Sequence, residues 1–457
     1  MQGILVSIGE VLNNLGPLIV LPVVIAILGI VLGQKWTSAI RSGLLTAIAF
    51  VGIFLTVGLL GETVSTIGMA FAENTGTNLD IIDIGWPAAS ALAFGTPVGN
   101  LIIPVGILLN IVLLFLGLTQ TLDVDIWNFW HMAFVGAMVQ YVTGSLAIAL
   151  FAAALSLVIA LILADWSAPL IQKHFNMPGV SIPHLQSAGY MLLALPFAWI
   201  FNRIPFLKNL NLDPDTTRKR LGLLGEPMVL GFIIGFLLAL FAGQAITDVI
   251  LTGVNIAAVM VLIPRMVAIL VEALAPVAEA AREFMSKRFA GREFYIGLDS
   301  AILAGNPTVI AAGLLMVPVE ILLAIALSPL GNRTLPFIDL ADGVFVAAML
   351  APLVAGDLIL TTLLGAIVMG IGLFFTTALA PGVTQLVNTG SFGLDIPAGY
   401  ASYTVMSDAA VPVAYIFYFL FQTPVGVAIV VSLVLTIALY FLRKRIDLKK
   451  MFAKDEF

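Results

Sequence analysis

Six stretches of this chain, 42–60, 98–118, 147–164, 227–247, 358–380 and 423–442, run without a single charged side chain. Each approaches the roughly 20 apolar residues that carry a helix across the hydrocarbon core of a bilayer. Inside that core every backbone N–H and C=O must be bonded within the protein, and runs of this kind meet the demand as helices. The chain is therefore read as an all-α polytopic membrane protein. Its composition agrees: 61% of its residues are hydrophobic and 10% charged, where soluble domains carry about 25% charged residues. The opening MQGILVSIGE lacks a basic n-region and a small-residue cleavage site, so insertion is expected to begin with the first spanning helix.

Several function classes fall away at once. With no cysteine, disulfides, thiolate metal sites and a phosphocysteine are excluded. No basic domain offers itself to nucleic acid, and no Walker A pattern offers itself to ATP. The three histidines, His131, His174 and His184, lack metal-site spacing. No metal, cofactor or catalytic residue is expected within the chain.

Self-comparison reveals a duplication. GPLIVLPVVI from Gly16 parallels EPMVLGFIIG from Glu226, and PVGILLNIVLL from Pro104 parallels PVEILLAIAL from Pro318. GVSIPH from Gly179 parallels GLDIPA from Gly393, and LPFAWIF from Leu195 parallels VPVAYIF from Val411. The offset drifts only from 210 to 216. Residues 1–203 and 211–420 are read as two copies of one unit. Residues 204–210 open a linker whose basic stretch runs on to about 222, and 421–457 form a last helix and a basic tail.

Charge decides the relative orientation of the copies, because Lys and Arg collect in cytoplasmic loops. Lys35 and Arg41 follow the first helix, whereas the corresponding QAITDVI of the second copy has no basic residue. TVSTIGMAFAENTG is acidic or neutral, whereas its partner AREFMSKRFAGRE carries Arg282, Lys287, Arg288 and Arg292. The linker (Arg203, Lys208, Arg218, Lys219, Arg220) and the tail FLRKRIDLKKMFAKDEF are basic. The repeats are therefore expected to be inverted, with the N-terminus outside and the C-terminus in the cytoplasm. Inversion requires an odd number of crossings per copy. Five are read, near 17–33, 42–60, 98–118, 147–165 and 183–202, with 123–146 re-entrant and 423–442 an eleventh helix. Residues 62–75 and 279–293 are expected to be amphipathic helices lying in opposite interfaces.

Both copies break the helical pattern at equivalent places: IGWPAASALAFGTPVG (84–99) and IGLDSAILAGNPTV (296–309). Paired interruptions in the two halves of an inverted repeat are the best sequence pointer to a transporter's binding site, and irregular backbone at membrane depth survives only when buried or lining a wet cavity. Polar side chains in these apolar surroundings are candidates by default. Trp86-Pro87 stands opposite Asp299, and Thr96 opposite Asn306. His131 falls close to Asp342, while His184 and Gln186 face a segment with Asp395 and Tyr400. The substrate-binding candidates are His131, His184, Gln186, Asp299, Asp342, Trp86 and Asn306. Their imidazoles, carboxylates and amides are the donors and acceptors that a hydroxyl-rich ligand needs, and Trp86, Trp127 and Trp130 offer flat faces to its C–H side. His174 is read as a surface residue. Glu320 is read either as cavity lining or as a partner for Arg265, and Asp357 and Asp408 as helix caps. Asp339 and its counterpart Asp125 are given a shared structural role at the start of each re-entrant segment.

FYIGLDSAILAGNPTVIAAGLLMVPVEILLAIAL, WHMAFVGAMV and SIPHLQ resemble the membrane subunit, enzyme IIC, of the galactitol-type sugar phosphotransferase system, which groups with the ascorbate-specific IIC proteins. The resemblance runs over essentially the whole chain. It implies a homodimer of eleven-helix subunits working as elevators. A scaffold (1–83 with 211–295) would hold a moving, substrate-carrying core (84–203 with 296–420). It also implies that separate cytosolic IIA and IIB chains perform the phosphoryl chemistry, with IIB phosphorylating the sugar on arrival. The pocket residues carried over are His131, His184, Gln186, Asp299 and Asp342; Pro87 and Ala88 stand where the ascorbate relatives have polar residues. Where galactitol members carry Gly-His-Pro, this chain has Gly305-Asn306-Pro307, which leaves another acyclic polyol or a pentitol open beside galactitol. The expected partners are thus a polyol, IIA, IIB, membrane lipid and a second copy of the chain. An ion-coupled transporter of a small polar solute, titrating Asp299, Glu320 or Asp342, is the alternative. An intramembrane hydrolase or polymerase lacks a recognisable motif.

Overall fold

The computed structural model describes residues 17–75, 79–125, 128–208, 226–288, 293–336, 338–389 and 402–452. Trp127, Arg218, Lys219, Arg220, Arg292, Asp395 and Tyr400 lie outside these residues.

Among the described residues seven helices are long and apolar enough to cross a membrane, and two further apolar helices, Leu185–Phe201 and Gly231–Phe241, are shorter. The chain begins with α1 (Pro17–Val31) and the 40-residue α2 (Trp36–Thr75). After a short strand, β1 (Ile81–Asp83), come α3 (Gly85–Phe94), α4 (Pro97–Leu116), β2 (Thr121–Asp123), α5 (Phe129–Thr143), α6 (Leu146–Phe175), β3 (Val180–Ser181) and α7 (Leu185–Phe201). The order then recurs with α8 (Pro227–Phe241), the 43-residue α9 (Ile246–Arg288) and β4 (Tyr295–Gly297). A 3-10 turn (Ser300–Gly305) and α10 (Pro307–Ala326) follow, then β5 (Thr334–Leu335) and a second 3-10 turn (Asp339–Asp342). The sequence of elements continues through α11 (Gly343–Leu350), α12 (Leu358–Thr389), β6 (Ser402–Thr404), α13 (Met406–Ala409) and α14 (Pro412–Leu420). Two elements have no earlier counterpart, α15 (Val425–Arg445) and α16 (Leu448–Phe452).

The segments 62–75 and 279–288 are not separate interfacial helices: they continue α2 and α9 without a break. A rise in polarity does not end a helix whose backbone bonds are all internal. Even Pro264 and Pro276 sit inside α9, as neighbouring helices allow in membrane proteins. α1, α2, α8 and α9 pack on one another, and the remaining helices form a second group around α5, α6, α10, α11 and α12.

The six strands form two small parallel sheets, β5-β1-β6 and β2-β4-β3. In each, the central strand comes from one half of the chain and its two neighbours from the other. The exchange ties the halves together and fixes their equivalences: Ile81 pairs with Thr334 as Tyr295 pairs with Thr121. It also corrects one alignment. Val180 pairs with Ile296 and Tyr403 with Ile82, so 179–184 corresponds to 402–407 and not to GLDIPA at 393–398. The strands are too short for the period-two pattern that would reveal them in sequence.

Candidate functional site

Each break begins where a central strand ends. At the first, Gly85 adopts φ 78°, a left-handed conformation that glycine reaches without steric cost. A Cβ there would also collide with Ile338 Cγ2. The exposed N–H groups around this turn converge on two buried carboxylates. Asp83 accepts from the N–H of Gly85 (3.2 Å), Ile338 (3.0 Å), Asp339 (2.7 Å) and Met406 (3.1 Å). Asp339 accepts from Trp86 N (2.7 Å) and Ser407 N (2.9 Å). The structural role read for Asp339 is thus one of fastening: with Asp83 it clamps the starts of α3, the 339–342 turn and α13, and it holds Trp86 in place. Its counterpart Asp125 accepts from Asn128 Nδ2 at 2.9 Å.

The second break is tighter. Asp299 caps the 300–305 turn, its Oδ1 accepting from Ala301 N at 2.8 Å. Asn306 caps α10 by accepting from Thr308 N at 2.9 Å, as Thr96 caps α4 by accepting from Gly99 N at 3.0 Å. Asn306 therefore serves the start of a helix and does not line the cavity described next.

Between the breaks lies a cavity of about 40 Å³, walled by Trp86, His131, His184, Gln186, Asp299 and Asp342, together with Asn128, Trp130, Phe345, Ala301 and Ile53. Six of the seven sequence candidates meet here, drawn from α3, α5, α7 and the 3-10 turns. Ile53 comes from the long helix α2. Asn128 and Asp342 occupy the same position before α5 and α11, so Asn128, and not His131, is the counterpart of Asp342.

The hydrogen bonds fix the polarity of the site. Ser187 N donates to His184 Nδ1 at 3.2 Å, so the proton of a neutral His184 sits on Nε2. That nitrogen is 3.2 Å from His131 Nε2, which must then accept. His131 Nδ1–H in turn donates to Asp408 Oδ1 at 2.8 Å. The result is an ordered chain, Ser187 to His184 to His131 to Asp408, with both imidazoles neutral. It is braced by the hydroxyl of Ser187, which lies 3.1 Å from His184 Nδ1 and bonds Ser300 at 2.8 Å. Phe345 stacks on His184, with ring centroids 6.2 Å apart. Gln186 Nε2 donates to Asp342 Oδ2 at 2.9 Å, and Asp299 Oδ1 lies 3.8 Å from His184 Nε2. Asp299 Oδ2 and Asp342 Oδ1 carry no hydrogen bond among the described residues.

Asp408 is thus the partner of His131, not a helix cap; Asp357 does cap α12, accepting from Leu360 N at 2.9 Å. Glu320 is buried and Arg265 exposed, so the two do not pair, and neither carboxyl oxygen of Glu320 has a hydrogen-bond partner among the described residues. His174 lies against Phe175 and beside Gly356. Sequence reasoning missed Asn128, Ser187, Ser300 and the true role of Asp408. The constant offset between repeats could have found Asn128; nothing local points to the others. No group of His, Asp and Glu among the described residues is arranged to hold a metal ion.

Comparison with known proteins places the sequence in a family. A family profile described as EIIC-GAT, PTS system sugar-specific permease component, matches residues 10–399. A putative permease IIC component of Escherichia coli (strain K12) is 36% identical over 379 residues, covering 83% of this chain and 86% of that protein. The PTS system galactitol-specific EIIC component of the same strain is 36% identical over 373 residues, 82% of each chain, and that of Escherichia coli O157:H7 matches equally. By the span of the family match and the identity to these relatives, the chain belongs to the EIIC-GAT family of sugar-specific permease components of the phosphotransferase system.

Proposed function

We propose that this permease imports galactitol or a closely related acyclic polyol, bound in the cavity between the two breaks and handed inside to a phosphorylated IIB protein. The observation that carries the reading is the convergence of His131, His184, Gln186, Asp299 and Asp342 on one cavity. A polyol presents alternating donors and acceptors along its length. Asp299 Oδ2 and Asp342 Oδ1 would accept from its hydroxyls, and a hydroxyl displacing the His184–His131 bond would find a donor on one side and an acceptor on the other. Trp86 and Trp130 would cover its C–H face.

A volume of about 40 Å³ holds about three waters, at about one probe sphere each, so a hexitol requires the walls to part. Ile53 of α2 is the wall contributed by the first of the two helix groups. Movement of the core (84–203 with 296–420) past the scaffold (1–83 with 211–295), each built from one part of two inverted repeats, would open the site to each side in turn. Eleven crossings per subunit, an outside N-terminus and a homodimer complete this elevator reading. Basic surfaces near 203–220 and 282–292 would receive IIB, whose phosphorylation of the polyol would trap it in the cytoplasm.

One observation favours an ion-coupled alternative: the unpartnered buried carboxyl of Glu320. Two measurements separate the readings. Purified protein titrated with galactitol, arabitol, sorbitol and mannitol should bind one of them selectively. Uptake of that polyol in cells should vanish when IIA and IIB are deleted. Uptake that survives the deletion but collapses with an uncoupler would instead establish ion coupling.

A further inference from the structure

The molecule holds a larger cavity than the one proposed for the polyol. A cleft of about 940 Å³ opens where α15 ends, and Arg443, Lys444, Arg445, Lys449 and Lys450 all line it. Its carboxylates are Asp165, Glu293 and Asp447. Two of these are already engaged. Asp165 forms a buried pair with Arg443 and also accepts from Thr119 and Thr121, while Glu293 accepts from the Tyr295 hydroxyl at 2.6 Å. Asp447 stands 3.9 Å from Lys450 Nζ. Lys444, Arg445 and Lys449 are left without an ion-pair partner among the described residues, and Lys444 Nζ lies 4.4 Å over the Tyr440 ring.

The backbone that carries these cations is anchored. Arg443 Nη2 donates to Leu118 O at 3.2 Å, and Trp166 Nε1 donates to Ile446 O at 2.7 Å. Leu448 and Phe452 are buried, and α16 packs on α6. The charged cleft is therefore a fixed feature of the fold.

Directly beside it runs a second cavity of about 220 Å³, apolar, between α4, α6 and α15, with Leu113, Val158, Leu161, Ile162 and Ile437 in its walls. Thr119 and Tyr440 line both, so cationic cleft and apolar groove adjoin. α15 is only 17% buried over its spanning window, so most of the helix beside the groove is exposed. A soluble anion would use the cleft and leave the groove empty; a neutral lipid would use the groove and leave the charges unmatched.

We propose that this composite cleft binds an anionic phospholipid, with its phosphate among Lys444, Arg445 and Lys449 and an acyl chain in the groove beside Ile437. The site stands on geometry remote from the polyol cavity and does not depend on which substrate is carried. Its occupant would cement α15 to α4 and α6.

Native mass spectrometry of the purified full chain tests this, with phosphatidylglycerol, phosphatidylcholine and glycerol 3-phosphate as probes. Phosphatidylglycerol should bind well above phosphatidylcholine. Lys444→Ala with Lys449→Ala should weaken it about 25-fold, at about fivefold per cation near a lipid headgroup, and Lys444→Arg with Lys449→Arg should restore it. Ile437→Trp, which fills the groove from an exposed position, should weaken phosphatidylglycerol and spare glycerol 3-phosphate. Lys35→Ala, away from the cleft, should change neither. Equal binding of the two lipids, or phosphatidylglycerol binding indifferent to the alanine pair, overturns the proposal. So does glycerol 3-phosphate binding as tightly as the lipid with Ile437→Trp without effect, which would make the cleft a soluble-phosphate site.

Discussion

At the first break, Asp83 and Asp339 take six backbone N–H groups between them. At the cavity, Asp299 and Asp342 take one backbone N–H, one serine hydroxyl and one glutamine amide, and each keeps an oxygen without a hydrogen bond among the described residues. All four are buried aspartates beside the same helix interruptions. The donors around them separate their roles: a carboxylate saturated by the backbone holds a fold together, and one with a lone pair to spare can hold a ligand. Burial and charge alone, which are all that sequence conveys, do not distinguish the two.

The sharpest way to break this contrast is Asp83→Ala. It strands four N–H groups, each costing about 1–3 kcal/mol when buried and unsatisfied, so we expect loss of the folded protein in detergent-solubilised thermal unfolding or gel filtration. If Asp83→Ala melts with the wild type, the clamp is not structural and the distinction between the pairs fails.

Asp299→Asn and Asp342→Asn sharpen it from the other side. Each should lower polyol affinity by about 10- to 100-fold, the size of one hydrogen bond to a charged group at about 1.5–3 kcal/mol, with the melting temperature nearly unchanged. Calorimetric titration reads the first and a melting curve the second. A fall in stability without a fall in affinity would reverse their assignment.

How much of this could be read beforehand follows from the same distinction. His131, His184, Gln186, Asp299 and Asp342 stand out because polar groups in apolar segments are costly, and all five line one cavity. Asp339 was legible as structural because its repeat partner Asp125 is also acidic. Asp408 carries the same signal as Asp299, yet its partner His131 is 277 residues away, and no local pattern records such a distance. Asn128 is an ordinary polar residue until the strand register pairs the halves. The full lengths of α2 and α9 are not legible, because the apolar pattern ends at 60 and near 277 while the helices run on to Thr75 and Arg288. The exchange of central strands between halves leaves no trace in composition at all.

Gly85→Ala tests the turn that presents Trp86 to the cavity. The left-handed φ of 78° costs about 1–2 kcal/mol for a residue with a Cβ, and that Cβ also meets Ile338. Gly179→Ala is the matched control: φ is 79°, but nothing lies within 4 Å. Both should lower the melting temperature, Gly85→Ala by more, and only Gly85→Ala should weaken polyol binding. Equal effects would mean that the first break does not shape the site.

The smallest effect is expected from Asp80→Asn, although Asp80 and Arg333 pair immediately before the strands β1 and β5 that they flank. The hydrogen bond from Arg333 holds the Asp80 carboxyl below its ordinary pKa, so the pair stabilises the folded state above the unfolded carboxylate value. That contribution fades as pH falls through the lower, folded value. Both side chains are about half exposed, however, 58% for Arg333 and 43% for Asp80, and exposed pairs contribute little because water and salt screen them. The ion pair beside the other sheet, Arg443–Asp165, is 11% and 2% exposed and adds three hydrogen bonds from Thr119, Thr121 and Gln120. Asp80→Asn should therefore leave the melting curve at neutral pH within error of wild type, and any difference should disappear in acid. A loss rivalling that of Asp83→Ala would show that the sheet β5-β1-β6 is held from its exposed end and not by the buried clamp.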